Sequence, residues 1–397
     1  MIKNTPAMGW NSWNTFGHNI NEEVVLSTAE NFVKNGYLDA GYEYIVIDDC
    51  WSLHERDKDG RLQADPEKFP HGMKYVADKI HALGLKFGMY SCAGTVTCAG
   101  YPASYEYEFI DAKTFAEWGV DYLKYDYCFR PLGVQGHLLY KRMGLALANS
   151  GRDILFSNCS WGSEYTNLWI KETGAHSFRS TEDIMDSWAS IKKLAQSQLK
   201  VQEYNGVGCF NDMDMLVVGM NGVGHVGHGG CTEEEYFTHF ALWCMCSSPL
   251  MIGCDVNNVD EKSKAILLNK DLIRIDQDGK GSQPFFVNGN YTPHINEKLS
   301  NENPFHYDNY PLDHPIIAKF LDDGTIALAV VNFADADTNR WSSSMNIDSL
   351  GIPLTSGKTL KMRNVRTGEV ITPVNGHLEF NVPAHSTFVY ICEVVDK

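Results

Sequence analysis

The sequence predicts an α/β protein in which a (β/α)8 TIM barrel is followed by a C-terminal antiparallel β-sandwich domain. Three observations support this fold class. The length of 397 residues is typical of one large domain plus a smaller one. Strand-like and helix-like segments alternate up to about residue 275. Beyond that point the strand-like runs continue, but the helical period is lost. We therefore assign residues 1–279 to the barrel and residues 280–397 to the sandwich.

Eight apolar runs are the candidate barrel strands. Polar turns and stretches rich in Ala, Leu, Lys and Glu lie between them. Eight such units in about 250 residues match a closed barrel better than an open, doubly wound sheet. The runs are, in order, PAMGW, YEYIVIDD, LKFGMYSC, VDYLKYDY, DILFSNCS, AHSFRSTED, FNDMDMLVV and PLMIGCDV.

Three of the intervening stretches have a clear helical composition. They are EEVVLSTAENFVKNG, MKYVADKIHALG and DAKTFAEWG, and the first closes on Gly36, where a glycine is expected just after a helix.

The C-terminal part has the turn pattern of antiparallel strands. A polar stretch with Pro and Asn, residues 296–314, precedes two apolar runs that flank Asp323-Gly324, a typical hairpin dipeptide. A second turn is expected at Thr367-Gly368, and STFVYICEV reads as the last strand. These patterns predict the sandwich.

Composition narrows the choice of partners and compartment. The net charge of −17 and the low isoelectric point, near 5.2, argue against nucleic acid and anionic membranes as partners. The start, MIKNTPAMGWNSW, lacks a secretory leader pattern, so we expect a cytoplasmic protein. The 11 cysteines show no zinc-type pairing, so most of them are expected to be small buried hydrophobes and no metal site is predicted. A homo-oligomer is compatible with the sequence.

The fourth candidate strand carries two opposite charges. In VDYLKYDYC, Lys124 and Asp126 point to the same side of the strand, where burial costs several kcal/mol unless the charges are paired or used. Further polar residues end the other strands, and in a barrel these ends share the active-site rim. Five carboxylates on one rim indicate a catalytic site rather than ordinary helix caps. The rim residues are Asp48, Asp49, Tyr90, Lys124, Asp126, Arg179, Asp183 and Asp214.

Carboxylates at a rim suggest a metal site or glycoside chemistry. Aromatic residues, which suit sugar rings, favour the second; they are Trp10, Trp13, Trp51, Tyr90 and Trp161. Retaining glycosidases need an ionised nucleophile and a protonated acid about 5–5.5 Å apart. We expect Lys124 to hold Asp126 ionised as the nucleophile. Spacing alone does not choose the acid among the other four carboxylates.

The motifs together resemble glycoside hydrolase family 27, the α-galactosidases and α-N-acetylgalactosaminidases. They occur in the family's order across the barrel, and the resemblance implies a retaining mechanism without metal or organic cofactor. It also implies an α-galactoside or α-N-acetylgalactosaminide as substrate. The motifs are MGWNSW, IDDCW, YLKYDYC, CSWG, NDMDML and SSPLMIGCDV.

The resemblance assigns roles residue by residue. Asp126 corresponds to the nucleophile and Asp183 to the acid/base. Asp48 and Asp49 resemble the pair that binds O4 and O6, which favours a sugar with a C6 hydroxymethyl group over an arabinopyranoside. The remaining pocket residues that it implies are Trp13, which would stack on the sugar, the donors Lys124 and Arg179, and Tyr90, Trp161, Asp214 and Met215.

The chain departs from the family at two places. His18 stands where a cysteine partner of Cys50 is common, so Cys50 is expected to be free, whereas both members of a second family disulfide, Cys98 and Cys128, are present. Family α-galactosidases carry a larger residue at the position of Ser160, while N-acetylgalactosaminidases carry Ser.

Ser160 and the small Ser163 lead us to expect a slight preference for α-N-acetylgalactosaminides, with plain α-galactosides as the alternative. A sugar-binding protein without catalysis and a metal-dependent barrel enzyme are alternatives of other classes. His225 and His228 in GHVGHGG are more typical of a lid or plain loop than of a metal site.

Overall fold

A computed structural model of the chain describes residues 2–199, 201–287, 313–338 and 343–397. Its N-terminal part is a barrel of eight parallel strands in the order β7-β6-β5-β4-β3-β2-β1-β8. The ring closes where Leu216 N donates to Met251 O (2.8 Å) and Gly253 N donates to Leu216 O (2.9 Å). All eight predicted strands are confirmed: β1 Met8–Asn11, β2 Tyr44–Val46, β3 Lys86–Cys92, β4 Tyr122–Asp126, β5 Leu155–Cys159, β6 Ser177–Arg179, β7 Phe210–Asp212 and β8 Leu250–Ile252.

Helices surround the strands, and side-chain caps set several of their ends. Asn21 accepts from Val24 N at the start of the first long helix, and Thr232 forms a capping box with Glu235. Gly119 ends another helix with φ 87°, which glycine adopts without strain. The helices are α1 Trp13–Phe16, α2 Glu22–Lys34, α3 Gly72–Ala82, α4 Glu108–Trp118, α5 Gly136–Ala148, α6 Thr166–Trp169, α7 Trp188–Gln198, α8 Glu233–Met245, α9 Glu261–Leu267 and α10 Lys270–Asp276.

The C-terminal part consists of a six-stranded antiparallel sheet, in the order β14-β13-β16-β11-β10-β9, and a two-stranded sheet, β12-β15. The predicted hairpin is confirmed, because β10 and β11 pair antiparallel around Gly324. Of the polar stretch 296–314, residues 296–312 lie outside the described residues. The strands are β9 Phe285–Phe286, β10 Ile316–Phe320, β11 Ile326–Val331, β12 Ser344–Asn346, β13 Lys358–Asn364, β14 Val370–Ile371, β15 His377–Glu379 and β16 Thr387–Asp396.

Each sheet buries its own apolar face. A cluster that includes Tyr44, Val46, Tyr122 and Leu155 fills the barrel, while a second core lies between the two C-terminal sheets. Alternate residues of β4 therefore point into the barrel, which brings Lys124 and Asp126 to its rim. Within the described part of the chain, no helix combines the length and apolar character needed to cross a membrane.

A buried lysine joins the C-terminal sheet to the barrel. Lys319 of β10 is fully buried, and its Nζ donates to Ser247 Oγ (2.6 Å) and to Ile275 O (2.7 Å). Burial raises the pKa of the neighbouring Asp276 to about 8, although the Lys319 charge opposes this shift. The predicted boundary at residues 279/280 falls between α10 and β9.

Candidate active site

The predicted rim residues lie together at the carboxyl ends of the strands. Asp48 and Asp49 follow β2, Asp126 ends β4 and Arg179 ends β6. These four side chains are buried. In contrast, the side chain of Asp183, the predicted acid/base, is 67% exposed, which sets it apart from the other four predicted rim carboxylates.

Asp48 is the centre of a charged cluster. Its Oδ2 accepts from Lys124 Nζ (2.8 Å) and from Asn11 Nδ2 (2.7 Å), and its backbone N–H donates to Ser12 Oγ (2.9 Å). The ion pair of Lys124 is therefore with Asp48 rather than with its own strand neighbour, Asp126. Asp48 and Lys124 hold each other in place beside the pocket.

Asp49 is held by backbone donors. Its Oδ1 accepts from Cys50 N (2.7 Å) and its Oδ2 accepts from Ala99 N (3.0 Å). Burial raises the pKa of Asp49, and these backbone donors reduce the shift. Both adjacent acids are thus oriented by several donors, as hydroxyl-binding groups require.

Asp126 has two neutral donors. Tyr127 N donates to its Oδ1 (2.9 Å) and the Tyr90 hydroxyl donates to its Oδ2 (3.1 Å). Burial raises the pKa of Asp126 to about 6, and the positive charge of Lys124 only partly offsets this shift. The expectation that Lys124 keeps Asp126 ionised was incomplete, because desolvation outweighs the attraction of a cation that is already paired with Asp48.

Arg179 holds two carboxylates. Its Nη2 lies 2.7 Å from Asp183 Oδ1 and 2.8 Å from Asp214 Oδ2. Burial opposes ionisation of Asp183, but the guanidinium outweighs it and lowers the pKa of that carboxyl. For the fully buried Asp214, burial prevails and raises the pKa to about 6. Arg179 therefore orients Asp183, which follows β6, and Asp214, which follows β7.

The predicted aromatic residues differ in burial and contacts. Trp51 is buried, and its Nε1 donates to Tyr90 O (3.0 Å) in the third strand. Trp13 is half-buried, and its ring centroid lies 4.8 Å from that of His225 in an edge-on contact. Trp161 has a positive φ of 54°, in the turn that follows β5. Trp10 is fully buried and bonds to Cys254 O, so it belongs to the core.

Three further residues were predicted to line the pocket. Met215 is buried next to Asp214, whose Oδ1 accepts from its backbone N–H (2.7 Å). Ser160 is 0% exposed, and its hydroxyl is 2.6 Å from the Thr166 hydroxyl. Ser163 is only half-buried. Ser160 therefore faces α6 through its hydroxyl rather than presenting it to a ligand.

The cysteines agree with the departures from the family pattern. Cys50 is free, and its Sγ lies 3.6 Å from His18 Nδ1. Cys98 and Cys128 form a disulfide, with their Cα atoms 5.2 Å apart, beside Asp126. The other eight cysteines are free and nearly all buried.

His225 and His228 belong to no group of three potential metal ligands within the part of the chain that the structure describes.

Three residues of the site were not identified from the sequence. Asn11 donates to Asp48, Asp212 is a half-buried carboxylate whose Oδ1 accepts from Asp214 N (2.8 Å), and Cys159 Sγ lies 3.6 Å from Arg179 Nη1. Each one ends or follows a barrel strand, so the rule that located the other rim residues applies to them as well.

Acids gathered at the carboxyl ends of the strands of a parallel barrel, with an antiparallel sandwich attached, are an arrangement typical of glycoside hydrolases. Comparison with family models specifies the class. The model for alpha galactosidase A matches residues 5–278, and the model for the alpha galactosidase C-terminal beta sandwich domain matches residues 313–392. The chain belongs to the α-galactosidase family, glycoside hydrolase family 27.

Individual relatives agree. An alpha-galactosidase of Cyamopsis tetragonoloba is 38% identical over 98% of this chain and 86% of that protein. Alpha-galactosidase 3 of Arabidopsis thaliana is 47% identical over 71% of this chain, and the match spans only 62% of its length. Among solved structures, alpha-galactosidase I from Mortierella vinacea superposes with a TM-score of 0.85 at 31% identity, covering 98% of this chain and 96% of that one.

Proposed function

We propose that this protein is a retaining, exo-acting α-galactosidase that removes terminal α-linked galactose from oligosaccharides. The observation that carries the proposal is that one rim holds a buried Asp126, with two neutral donors, and a solvent-open Asp183. Relatives named alpha-galactosidases support the sugar, and the enzyme of Saccharomyces cerevisiae has been solved with raffinose.

The proposed chemistry has two displacements. Asp126 attacks the anomeric carbon while Asp183 gives its proton to the departing oxygen, which yields a covalent glycosyl ester and a free alcohol. Asp183, now ionised, then takes a proton from water, and the resulting hydroxide equivalent releases the sugar with its original configuration. Asp48 and Asp49 would accept hydrogen bonds from sugar hydroxyls, and Arg179 would steady Asp183 through both steps.

Before the first displacement, Asp126 and Asp183 must together hold one proton. In the free protein Asp126 is the more basic of the two, since its pKa is about 6 and that of Asp183 is lowered. The productive arrangement, with the proton on Asp183, is therefore a minor form of the singly protonated pair. A bound leaving group that covers Asp183 would favour the productive form by removing water from it.

The sugar preference is proposed to be galactose. The predicted lean towards N-acetylgalactosaminides rested on Ser160 and Ser163, and the burial of Ser160 against Thr166 weakens its part of that argument. The N-acetyl substrate stays a prediction, tested by comparing nitrophenyl α-galactoside with its N-acetyl analogue. If Ser160 faces the 2-position, Ser160→Glu moves the ratio of kcat/KM at least tenfold towards galactose; an unmoved ratio would remove Ser160 from that role.

The test of the proposed function is Asp126→Ala. Loss of the nucleophile removes the covalent step, so turnover should fall by several orders of magnitude while the thermal unfolding curve stays near that of the wild type. Azide should restore part of the activity and yield a glycosyl azide of inverted configuration. Near-normal hydrolysis by the variant would exclude Asp126 as the nucleophile.

Two wild-type results would redirect the proposal to another class. Binding without release of nitrophenol between pH 4 and pH 8 would indicate a sugar-binding protein. Loss of activity in excess chelator, restored by metal, would indicate a metal-dependent enzyme.

A further inference from the structure

A disulfide lies beside the proposed nucleophile. Cys98 and Cys128 are bonded to each other, and one ligand atom from each of them lies within 4.8 Å of a carboxylate oxygen of Asp126. The Tyr90 hydroxyl connects the disulfide and the carboxylate, since it lies 3.4 Å from Cys98 Sγ and 3.1 Å from Asp126 Oδ2. The two sulfurs and the nucleophile therefore share one corner of the rim.

The disulfide is open to reduction from solvent. Cys98 is exposed and Cys128 is half-buried, and exposed disulfides are the ones that thiols reduce most readily. A dithiol attacks the Cys98 sulfur, the S–S bond breaks, and Cys128 leaves as a thiolate that takes up a proton. The second thiol of the reductant then releases Cys98 as a thiol, and the reductant itself closes to a disulfide. The exchange thus balances at two electrons and two protons.

Backbone contacts hold the two cysteines together without the disulfide. The segments that carry them follow β3 and β4, and Thr95 N of the first segment donates to Phe129 O of the second (3.2 Å). At Gly94 the two segments approach so closely that an added Cβ atom would lie 1.9 Å from Cys128 O. Opening of the S–S bond therefore leaves both thiols next to Asp126.

Two thiolates and a carboxylate form a ligand set for zinc. Thiolates are soft ligands that favour Zn²⁺, and three protein ligands leave a fourth, tetrahedral position for water. With Zn–S bonds of about 2.3 Å and Zn–O bonds of about 2.1 Å, the ligand atoms of such a site lie about 3.5–3.8 Å apart. The three atoms here lie within 4.8 Å of one another, so side-chain movements of about 1 Å bring them into position. In the disulfide form the sulfurs lack the thiolate charge that binds a metal.

We infer that reduction of the Cys98–Cys128 disulfide creates an inhibitory zinc site, in which the two thiolates and the Asp126 carboxylate bind one Zn²⁺. The inference rests on the proposed function, because it adds a regulation of the proposed nucleophile. Zinc displaces the two thiol protons, and its bond to Asp126 occupies the oxygen that would attack the anomeric carbon. The cysteines are 30 positions apart, so the site has none of the short spacings by which zinc ligands are recognised in a sequence.

The experiment measures hydrolysis of nitrophenyl α-galactoside by protein reduced with a phosphine, which is then removed. The reduced wild type should be active in chelator, lose activity about tenfold or more with one equivalent of Zn²⁺, and regain it in excess chelator. The oxidised wild type should keep its activity in the same zinc. Cys98→Ser, reduced in the same way, also lacks the disulfide but has one thiol fewer, so zinc should leave its activity nearly unchanged.

Cys231→Ser is the matched control for zinc binding at other thiols. Among the free cysteines of the described residues, Cys231 alone is partly exposed, and the others are buried. The variant should therefore respond to reduction and zinc as the wild type does.

Metal binding is measured separately with Co²⁺, whose bonds to thiolates give charge-transfer absorption in the near ultraviolet. The reduced wild type should show this band with one Co²⁺ per chain, whereas the oxidised protein and Cys98→Ser should not. Asp126→Asn, used for binding alone, should bind zinc about tenfold more weakly, since even the hydrogen-bond partners of metal ligands contribute about that much. Thermal unfolding in chelator checks that each reduced protein is folded before metal is added.

Three results would overturn the inference while leaving the proposed function intact. They are zinc binding with unchanged hydrolysis, equal inhibition of the wild type and Cys98→Ser, and a reduced wild type that is unfolded or inactive in chelator. An oxidised wild type that cleaves no galactoside would instead refute the proposed function, and the cobalt band would still decide whether the metal site exists.

Discussion

Replacing Tyr90 with Phe tests the proton balance of the acid pair most directly. The hydroxyl donates to Asp126 Oδ2 at 3.1 Å, which is long for an O–H···O bond, so its contribution should lie near the lower end of the range for charged acceptors, about 1.5 kcal/mol. Losing it should raise the pKa of Asp126 by about one unit, from about 6 to about 7. Asp126 would then compete more strongly with Asp183 for the shared proton.

The consequence for activity depends on pH. Below the Asp126 pKa the pair holds one proton, and a tenfold rise in the basicity of Asp126 lowers the productive fraction about tenfold. Above it, both acids are ionised, and the productive fraction depends only on Asp183, which the substitution leaves alone. We therefore expect kcat/KM of Tyr90→Phe to fall about tenfold at pH 5 and to approach the wild-type value at pH 8.

The assay is kcat/KM for nitrophenyl α-galactoside from pH 4 to pH 9, in which the alkaline limb of the variant should move up by about one unit. Tyr125→Phe is the matched control, because the Tyr125 hydroxyl is buried on the same strand as Asp126 and has no hydrogen-bond partner among the described residues. A uniform loss at all pH values, or an unmoved limb, would refute the reasoning about the shared proton.

Three other predictions concern the acid, the disulfide and a buried histidine. Asp183→Asn should slow raffinose at least tenfold more than a nitrophenyl galactoside, because only a poor leaving group needs the proton; equal losses would favour Asp214 as the acid. Cys98→Ser opens a loop with a separation of 30 residues, so the free energy of unfolding in urea should fall by about 3–4 kcal/mol, and unchanged stability would contradict the entropic argument. His239 is buried, which lowers its pKa to about 3, and its Nε2 accepts from Val217 N. The folded state therefore favours the neutral ring, and the free energy of unfolding should fall as the pH drops below about 6.5, the pKa of an unfolded histidine. Between pH 7 and pH 5 the free energy of unfolding should fall by about 2 kcal/mol. Urea unfolding of His239→Gln at the same two pH values should show a correspondingly smaller fall.

The fold could be predicted because its pattern is local. Each barrel strand is an apolar run bounded by turn residues, and the hairpin at Asp323-Gly324 is marked by its dipeptide. The rim residues could also be located, since any polar side chain that ends a parallel strand reaches the same edge. Which charges pair could not be predicted, because partners such as Lys124 and Asp48 are 76 positions apart and meet only across β2, β3 and β4.

The packing of the GHVGHGG loop, residues 224–230, could not be predicted either, for the same reason. Its sequence indicates turns, but the contacts of Gly17 and Gly224 that position His225 join residues about 200 positions apart. The burial of Ser160 had a similar cause, because its partner Thr166 lies in a short helix whose packing has no strong pattern in the sequence. Side chains were thus assigned to the correct rim, while their orientation depended on contacts that only the folded chain creates.

Lys124 and Asp126 of the fourth strand do not form an ion pair with each other, because Lys124 pairs with Asp48. Lys124 pairs with Asp48, and Arg179 bridges Asp183 and Asp214, so the ion pairs that the described residues give these two cations are all with acids other than Asp126. A carboxylate in a tight ion pair is stabilised in its ground state and would lose that stabilisation on attacking carbon. Among the described residues, the hydrogen-bond donors to Asp126 are the neutral Tyr90 hydroxyl and Tyr127 N–H, and its pKa of about 6 leaves it ionised at neutral pH without a direct ion pair. The strand therefore carries its lysine to hold the neighbouring acid of the sugar pocket, and this arrangement leaves the proposed nucleophile free to react.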